Sequence, residues 1–276
     1  MPGPLVAFRL GPLTIFWYGI IIVTAALVGG YVAAFEAKRR GEDEDHVWNM
    51  LILVVILGIV GARLYHVFSS PAGGEYGWAY YREHPEAIFQ LWNGGLGIYG
   101  AVAGGMLGVV LYAYRAKLNI SRYFDIGAPA LLIGQAIGRW GNFVNQELYG
   151  PPTTLPWGLK IDEFHRFPPF NDLTQYPLEA RFHPVFLYES LWNLAGVLLI
   201  LVIGRKWAAR LKEGDLFLAY LIWYPVGRLW VESLRPDAWK IGAIPTAQII
   251  SAALIVAAVA ALIVRHRPHP QAPAAQ

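Results

Sequence analysis

The chain has 276 residues, 56% of them hydrophobic and only 15% charged, where a soluble domain carries about 25% charged residues. It contains no cysteine, which excludes a disulfide framework, a cysteine-ligated metal and a cysteine nucleophile. The net charge of +3 is small, so basic residues matter by position and nucleic acid is not an expected partner.

Seven apolar segments, at roughly 13–35, 47–68, 93–114, 122–144, 184–203, 215–234 and 244–264, are each long enough to cross about 30 Å of hydrocarbon. They predict an all-α integral membrane protein, a single polytopic domain over 1–276 with seven transmembrane helices. In the first segment Trp17 and Tyr18 suit an interfacial aromatic belt. Only Arg9 precedes it and Lys38-Arg39-Arg40 follows it, so it reads as a span, not a cleaved signal. The second contains Gly61-x-Arg63. Entering the third, residues 95–100 match G-x-G-x-x-G. A dinucleotide site would need a strand before the match and an acidic residue after it. A membrane helix follows instead, and Gly100, Gly104 and Gly108 repeat every four residues as a packing stripe.

The fourth segment contains Asp125 and Pro129 and runs into the polar stretch 134–150. At helical spacing Arg139, Asn142 and Gln146 share a face, and Gly134 and Gly138 allow close backbone approach. An arginine at membrane depth costs about 2.5–3.5 kcal/mol on insertion scales. Such a residue is kept where it faces a cavity or an anion, or where it forms a buried ion pair that only holds helices together. Residues 146–183, Pro-rich and aromatic, predict a small outer cap between spans 4 and 5. His183-Pro184 and Tyr188-Glu189 open the fifth span; taken singly they suit packing. In the sixth, Tyr224, Arg228, Glu232 and Arg235 share one helical face. Arg228 and Glu232 alone would suit a structural salt bridge. Two arginines to one glutamate leave a spare positive charge that suits an anionic ligand. The Pro/Ala-rich tail 265–276 is expected to be disordered and cytoplasmic.

One set of loops carries twelve basic residues (Lys38, Arg39, Arg40, Arg115, Lys117, Arg122, Arg205, Lys206, Arg210, Lys212, Arg265, Arg267) and the other seven (Arg9, Arg82, Lys160, Arg166, Arg181, Arg235, Lys240). The positive-inside rule places the N-terminus outside and the C-terminus in the cytoplasm. No histidines form an H-x-x-x-H or H-E-x-x-H arrangement and no serine sits in a recognisable nucleophile turn. Neither a metal nor a protein-borne covalent nucleophile is expected.

Gly138-Arg139-x-Gly141-Asn142-Phe143-x-Asn145-x-Glu147-x-x-Gly150 resembles the signature of bacterial prolipoprotein diacylglyceryl transferases. Trp92-x-Gly94-Gly95 with Tyr99-Gly100 resembles the family's third-span motif, with Tyr99 where many members have His. The 224–237 block resembles its second arginine–glutamate motif. Weaker matches at Trp17-Tyr18-Gly19, Gly61-x-Arg63, Asp125 with Pro129, and His183-Pro184 with Tyr188-Glu189 extend the resemblance from the first span to the sixth. It implies a multi-pass enzyme of the bacterial plasma (inner) membrane, its active site toward the outer face. The implied reaction moves the diacylglyceryl group of phosphatidylglycerol to the lipobox cysteine of a prolipoprotein signal peptide, giving a thioether and glycerol 1-phosphate. The substrate brings the thiol, and no cofactor is needed. The implied catalytic set is Arg139, Arg228, Glu232 and Tyr99. Arg139 and Arg228 would bind phosphate and stabilise the leaving group, and Glu232 would position Arg228. Asn142, Asn145 and Glu147 would orient the glycerol headgroup or hold Arg139. Tyr18, Tyr99 and Tyr224 would line the pocket, and Gly150 completes the phosphatidylglycerol-binding set. Membrane lipids are the other expected partners. A transporter or flippase of anionic lipid could use the same arginines, but the chain has no internal repeat of the kind such proteins show.

Overall fold

The computed structural model describes residues 5–11, 13–69, 77–236, 238 and 240–267. The chain opens with the antiparallel pair β1 (Val6–Leu10) and β2 (Leu13–Phe16), then α1 (Trp17–Arg39), α2 (Glu44–Phe68), the short α3 (Trp78–Glu83), α4 (Ile98–Arg115) and α5 (Ile120–Val144). A second pair, β3 (Leu159–Lys160) and β4 (Arg181–Phe182), precedes α6 (Val185–Lys206) and α7 (Asp215–Ser233). A third, β5 (Lys240–Ile241) and β6 (Ile244–Pro245), leads into α8 (Thr246–Arg265). The protein is therefore mostly helical. The three two-stranded pairs correct the all-helical expectation: where the chain leaves the helices, short segments satisfy their backbone groups by pairing with each other. Residues 13–16, expected at the head of the first span, are strand β2. The third long helix starts at Ile98 rather than near 93, because Gly94 (φ 81°) and Gly95 (φ 74°) adopt the left-handed conformation.

Among the described residues five helices, α1, α2, α4, α6 and α8, are long and apolar enough to cross a membrane. They expose Val23, Ile52, Leu198 and Val256 among many other large apolar side chains, as suits a hydrocarbon solvent. Helices α5 and α7, of 25 and 19 residues, carry Arg122, Asp125 and Arg139, and Asp215, Arg228 and Glu232, respectively.

The chain divides into two compact units, Met1–Val32 with Gly127–Gln276, and Ala33–Ile126. In the second unit α2 and α4 meet at glycines. A Cβ on Gly61 would lie 2.3 Å from the Gly100 carbonyl oxygen, and one on Gly104 would lie 2.0 Å from that of Leu57. The expected stripe is thus a backbone-to-backbone seam. Arg63, buried in α2, donates to the carbonyls of Ile88 (2.8 Å), Gly94 (2.7 Å), Gly95 (2.9 Å) and Ala87 (2.5 Å). It fastens the loop that leads into α4. At the far end of α2, Arg122 pairs with Glu42 at 2.6 Å.

In the first unit α6 and α7 are joined by stacked indoles, Trp192 and Trp223, 4.3 Å apart. Each Nε1–H donates to the other residue's carbonyl at 3.0 Å. The apolar core around them holds Ala128, Leu132, Val197, Ile200, Leu216 and Tyr220. Between α5 and α6, Tyr149, Ile161, Phe170 and Phe182 form a separate small core. Arg166 is buried beside it, donating to the carbonyls of Ile161 (2.9 Å) and Tyr176 (2.7 Å). Of the tail expected from 265, residues 268–276 lie outside the described residues. Arg265 Nε and His266 Nε2 close on Asp215 at 3.2 and 2.7 Å.

Candidate active site

The first unit gathers a line of alternating charges from three helices. Arg139 Nη2 of α5 lies 2.5 Å from Glu189 Oε2 of α6. This contact is a close ion pair without hydrogen-bond alignment. The other oxygen of Glu189, Oε1, accepts from Arg228 Nη1 of α7 at 2.6 Å. Arg228 Nη2 donates to Glu232 Oε2 one turn along α7, and Arg235 Nη1 stands 3.6 Å from the same oxygen. The order is Arg139–Glu189–Arg228–Glu232–Arg235. The carboxylates are buried, and the three guanidiniums are only partly covered. Among these five groups the arginines outnumber the glutamates, the excess expected for the sixth span carried over to a larger set.

A polar branch runs from Arg139 along the end of α5. Arg139 Nη1 donates to Asn142 Oδ1 at 3.3 Å, and Asn142 Nδ2 donates to Glu147 Oε1 at 2.8 Å. Asn145 Nδ2 reaches the same oxygen at 3.2 Å. Asn142 is the link, and Glu147 fixes its amide so that the oxygen faces the guanidinium. Gln146 leaves the expected helical face: α5 ends at Val144, and Gln146 takes φ 53°. Its Nε2 donates to Asp162 Oδ2 at 2.5 Å, and Asp162 N–H donates back to its Oε1 at 2.9 Å. Burial pushes the Asp162 carboxyl up, but hydrogen bonds from His165 and Gln146 outweigh it and hold the group below its ordinary value. Asp162 therefore stays ionised, and keeps Gln146 in place, through the ordinary carboxylate range.

Tyr18 packs against Gly141: a Cβ there would lie 2.6 Å from its ring. This puts the tyrosine on the helix turn that carries Arg139 and Asn142. Gly150 is packed between His183 and the Leu234 carbonyl, each 3.0 Å from a Cβ placed there, and its N–H donates to His183 O at 2.9 Å. Tyr224 stacks on Tyr220 and lines a cleft with Glu189 and Arg228. Tyr99 belongs to the second unit, where it is half exposed against Tyr65.

The structure thus joins Arg139, Asn142, Asn145, Glu147, Arg228 and Glu232 into one connected network. The connection is Glu189, which sequence reasoning treated as a packing residue. The signal was present. Arginines in apolar segments pair with carboxylates or backbone carbonyls, and Glu189 is a carboxylate set among Phe, Leu, Tyr and Trp residues. Chemically, Glu189 spaces two guanidiniums on either side of one carboxylate, a spacing that also suits two arginines flanking a phosphate.

The match to known proteins covers almost the whole chain. The family model described as prolipoprotein diacylglyceryl transferase matches residues 5–264. A phosphatidylglycerol–prolipoprotein diacylglyceryl transferase of Chloroflexus aggregans is 42% identical over 93% of this chain and 87% of its own length. One of a Nostoc species is 44% identical over 98% and 92%, and one of Bacillus cereus 40% identical over 95% and 92%. With a match of that extent, the chain belongs to the prolipoprotein diacylglyceryl transferase family.

Proposed function

We propose that the chain is a membrane transferase that moves the diacylglyceryl group of phosphatidylglycerol onto the lipobox cysteine thiol of a prolipoprotein. The observation that carries this reading is the Arg139–Glu189–Arg228–Glu232–Arg235 line in a chain of this family. The thiolate sulfur bonds to the glyceryl carbon that bears phosphate, and that carbon–oxygen bond breaks. Its electrons leave on glycerol 1-phosphate, and the thiol proton goes to solvent. A free thiol has a pKa near 8.5 and is a few per cent ionised at neutral pH. Negative charge grows on the phosphate oxygens, and guanidiniums fixed beforehand stabilise it without reorganising. Arg139 and Arg228 take that role, Glu232 positions Arg228, and Asn142 with Asn145 and Glu147 holds Arg139 or the glycerol headgroup. Tyr18 and Tyr224 shape the pocket, Gly150 provides close packing beside it, and Tyr99 contributes a hydroxyl.

All seven long helices are read as spans, because the charges of α5 and α7 are paired internally and need not meet lipid. The basic loops support an external N-terminus and a cytoplasmic C-terminus in the bacterial inner membrane. The compact segment 146–183 is then an outer cap, and the arginine line lies toward the outer face. The test supplies purified protein with phosphatidylglycerol and a lipobox peptide. Mass spectrometry should find a diacylglyceryl adduct on the cysteine, and none on a Cys-to-Ser peptide. Movement of lipid between leaflets without adduct would favour the transporter reading instead.

A further inference from the structure

Asn193 is buried, 1% exposed, and the reaction as derived makes no use of it. Neither its amide nitrogen nor its amide oxygen has a hydrogen-bond partner among the described residues. Buried amides are nearly always satisfied, and one left open within the chain is costly. Asn193 lies one turn along α6 from Glu189 and lines a cleft with Glu189, Trp192, Tyr224, Gly227 and Arg228. The charged groups there are already engaged with each other, since Arg228 is held by Glu189 and Glu232. The cleft is too tight to enclose even a water as it stands, so it has no room for a headgroup, and a single small group of a ligand reaches Asn193 only with a shift of the side chains that line it.

The last turn of α6 carries Arg205 and Lys206, which the positive-inside rule places at the cytoplasmic face. Four residues of helix correspond to about 6 Å, so Asn193 sits about that much nearer the bilayer midplane than Glu189. If the lipid phosphate is held at the arginines, the next polar groups of the same molecule toward the midplane are the carbonyls of its acyl esters. An amide N–H₂ complements an ester carbonyl. We propose that Asn193 is a lipid-binding residue that donates a hydrogen bond to an acyl ester carbonyl, and so favours diester over diether lipid. This rests on the reading of the site as a phosphatidylglycerol transferase.

The test uses the full chain in detergent micelles with a lipobox peptide. Diester phosphatidylglycerol and its diether analogue are compared, the analogue as substrate and as competitor. The wild type should prefer the diester by about tenfold, the worth of one hydrogen bond. Asn193→Leu, close in size but without the amide, should raise KM for the diester about tenfold and leave the diether nearly unchanged. The preference then collapses while kcat and the thermal midpoint hold. Asn193→Ala gives the same ratio test should the leucine variant not fold. An unchanged preference, an equal loss on both lipids (the sign of an internal water or of packing), or no preference in the wild type overturns the proposal. Absence of transfer from either lipid by the wild type would instead overturn the transferase reading.

Discussion

One guanidinium that must satisfy two neighbours at once is a stricter requirement than one positive charge. Arg139 reaches Glu189 through Nη2 and Asn142 through Nη1, which a lysine ammonium on a single stem cannot reproduce. Arg139→Lys is therefore expected to lose most of its turnover, and Arg139→Ala at least about 10²-fold, the size of a preorganised transition-state donor. Tyr99→Phe should lose only about tenfold, one hydrogen bond, because the thiol largely supplies its own reactive form. Rates with the same peptide from pH 6 to 9 check all three. A Tyr99→Phe variant as inactive as Arg139→Ala at every pH would make the phenol an obligatory participant. At this scale the sequence showed the arginines and asparagines clearly, because polar residues in an apolar segment stand out. Glu189 escaped because its meaning lies in partners 50 and 39 positions away, which local spacing does not reveal. Gln146 was misplaced because helical periodicity was carried two residues past the last turn of α5.

Elements were legible as apolar runs, and their partners were not. The stripe Gly100–Gly104–Gly108 announced a packing face, but periodicity cannot say that Leu57, Gly61 and Val54 of α2 lie against it. The seam offers a controlled test on adjacent residues. A Cβ on Gly104 would lie 2.0 Å from a backbone oxygen, whereas one on Gly105 would meet only a valine methyl at 3.6 Å. Gly104→Ala should force α2 and α4 apart and cost about 1–3 kcal/mol. Gly105→Ala should be neutral or slightly stabilising, since alanine is the better helix former. Thermal unfolding of both variants in one detergent decides it, and equal midpoints would contradict the seam. The first strand pair went unread for a similar reason: β2 is apolar enough to pass for the head of a span, and its pairing with β1, not hydropathy, separates it from α1.

For the whole molecule, the proposed seven-span topology predicts that reporters fused after residues 40, 118 and 208 report a cytoplasmic location. Two external readings would reject it. Hydropathy alone recovers five of the long helices as membrane-competent, because it counts the charges of α5 and α7 without their pairing. That pairing has a consequence for how the protein works. Glu189 and Glu232 serve as resident counter-ions for the guanidiniums, so on the proposed role of Arg139 and Arg228 as phosphate binders the cations are never without a partner. An incoming phosphate would therefore share the guanidiniums with carboxylates that are covalently part of the chain and always at hand. On that proposal the arginines divide their attraction between the resident carboxylates and the phosphate, so substrate is held less tightly than bare guanidiniums would hold it. When the phosphate product departs, the glutamates keep their partners. The site supplies its own eluent, and release of a charged product into water no longer leaves naked cations in the bilayer.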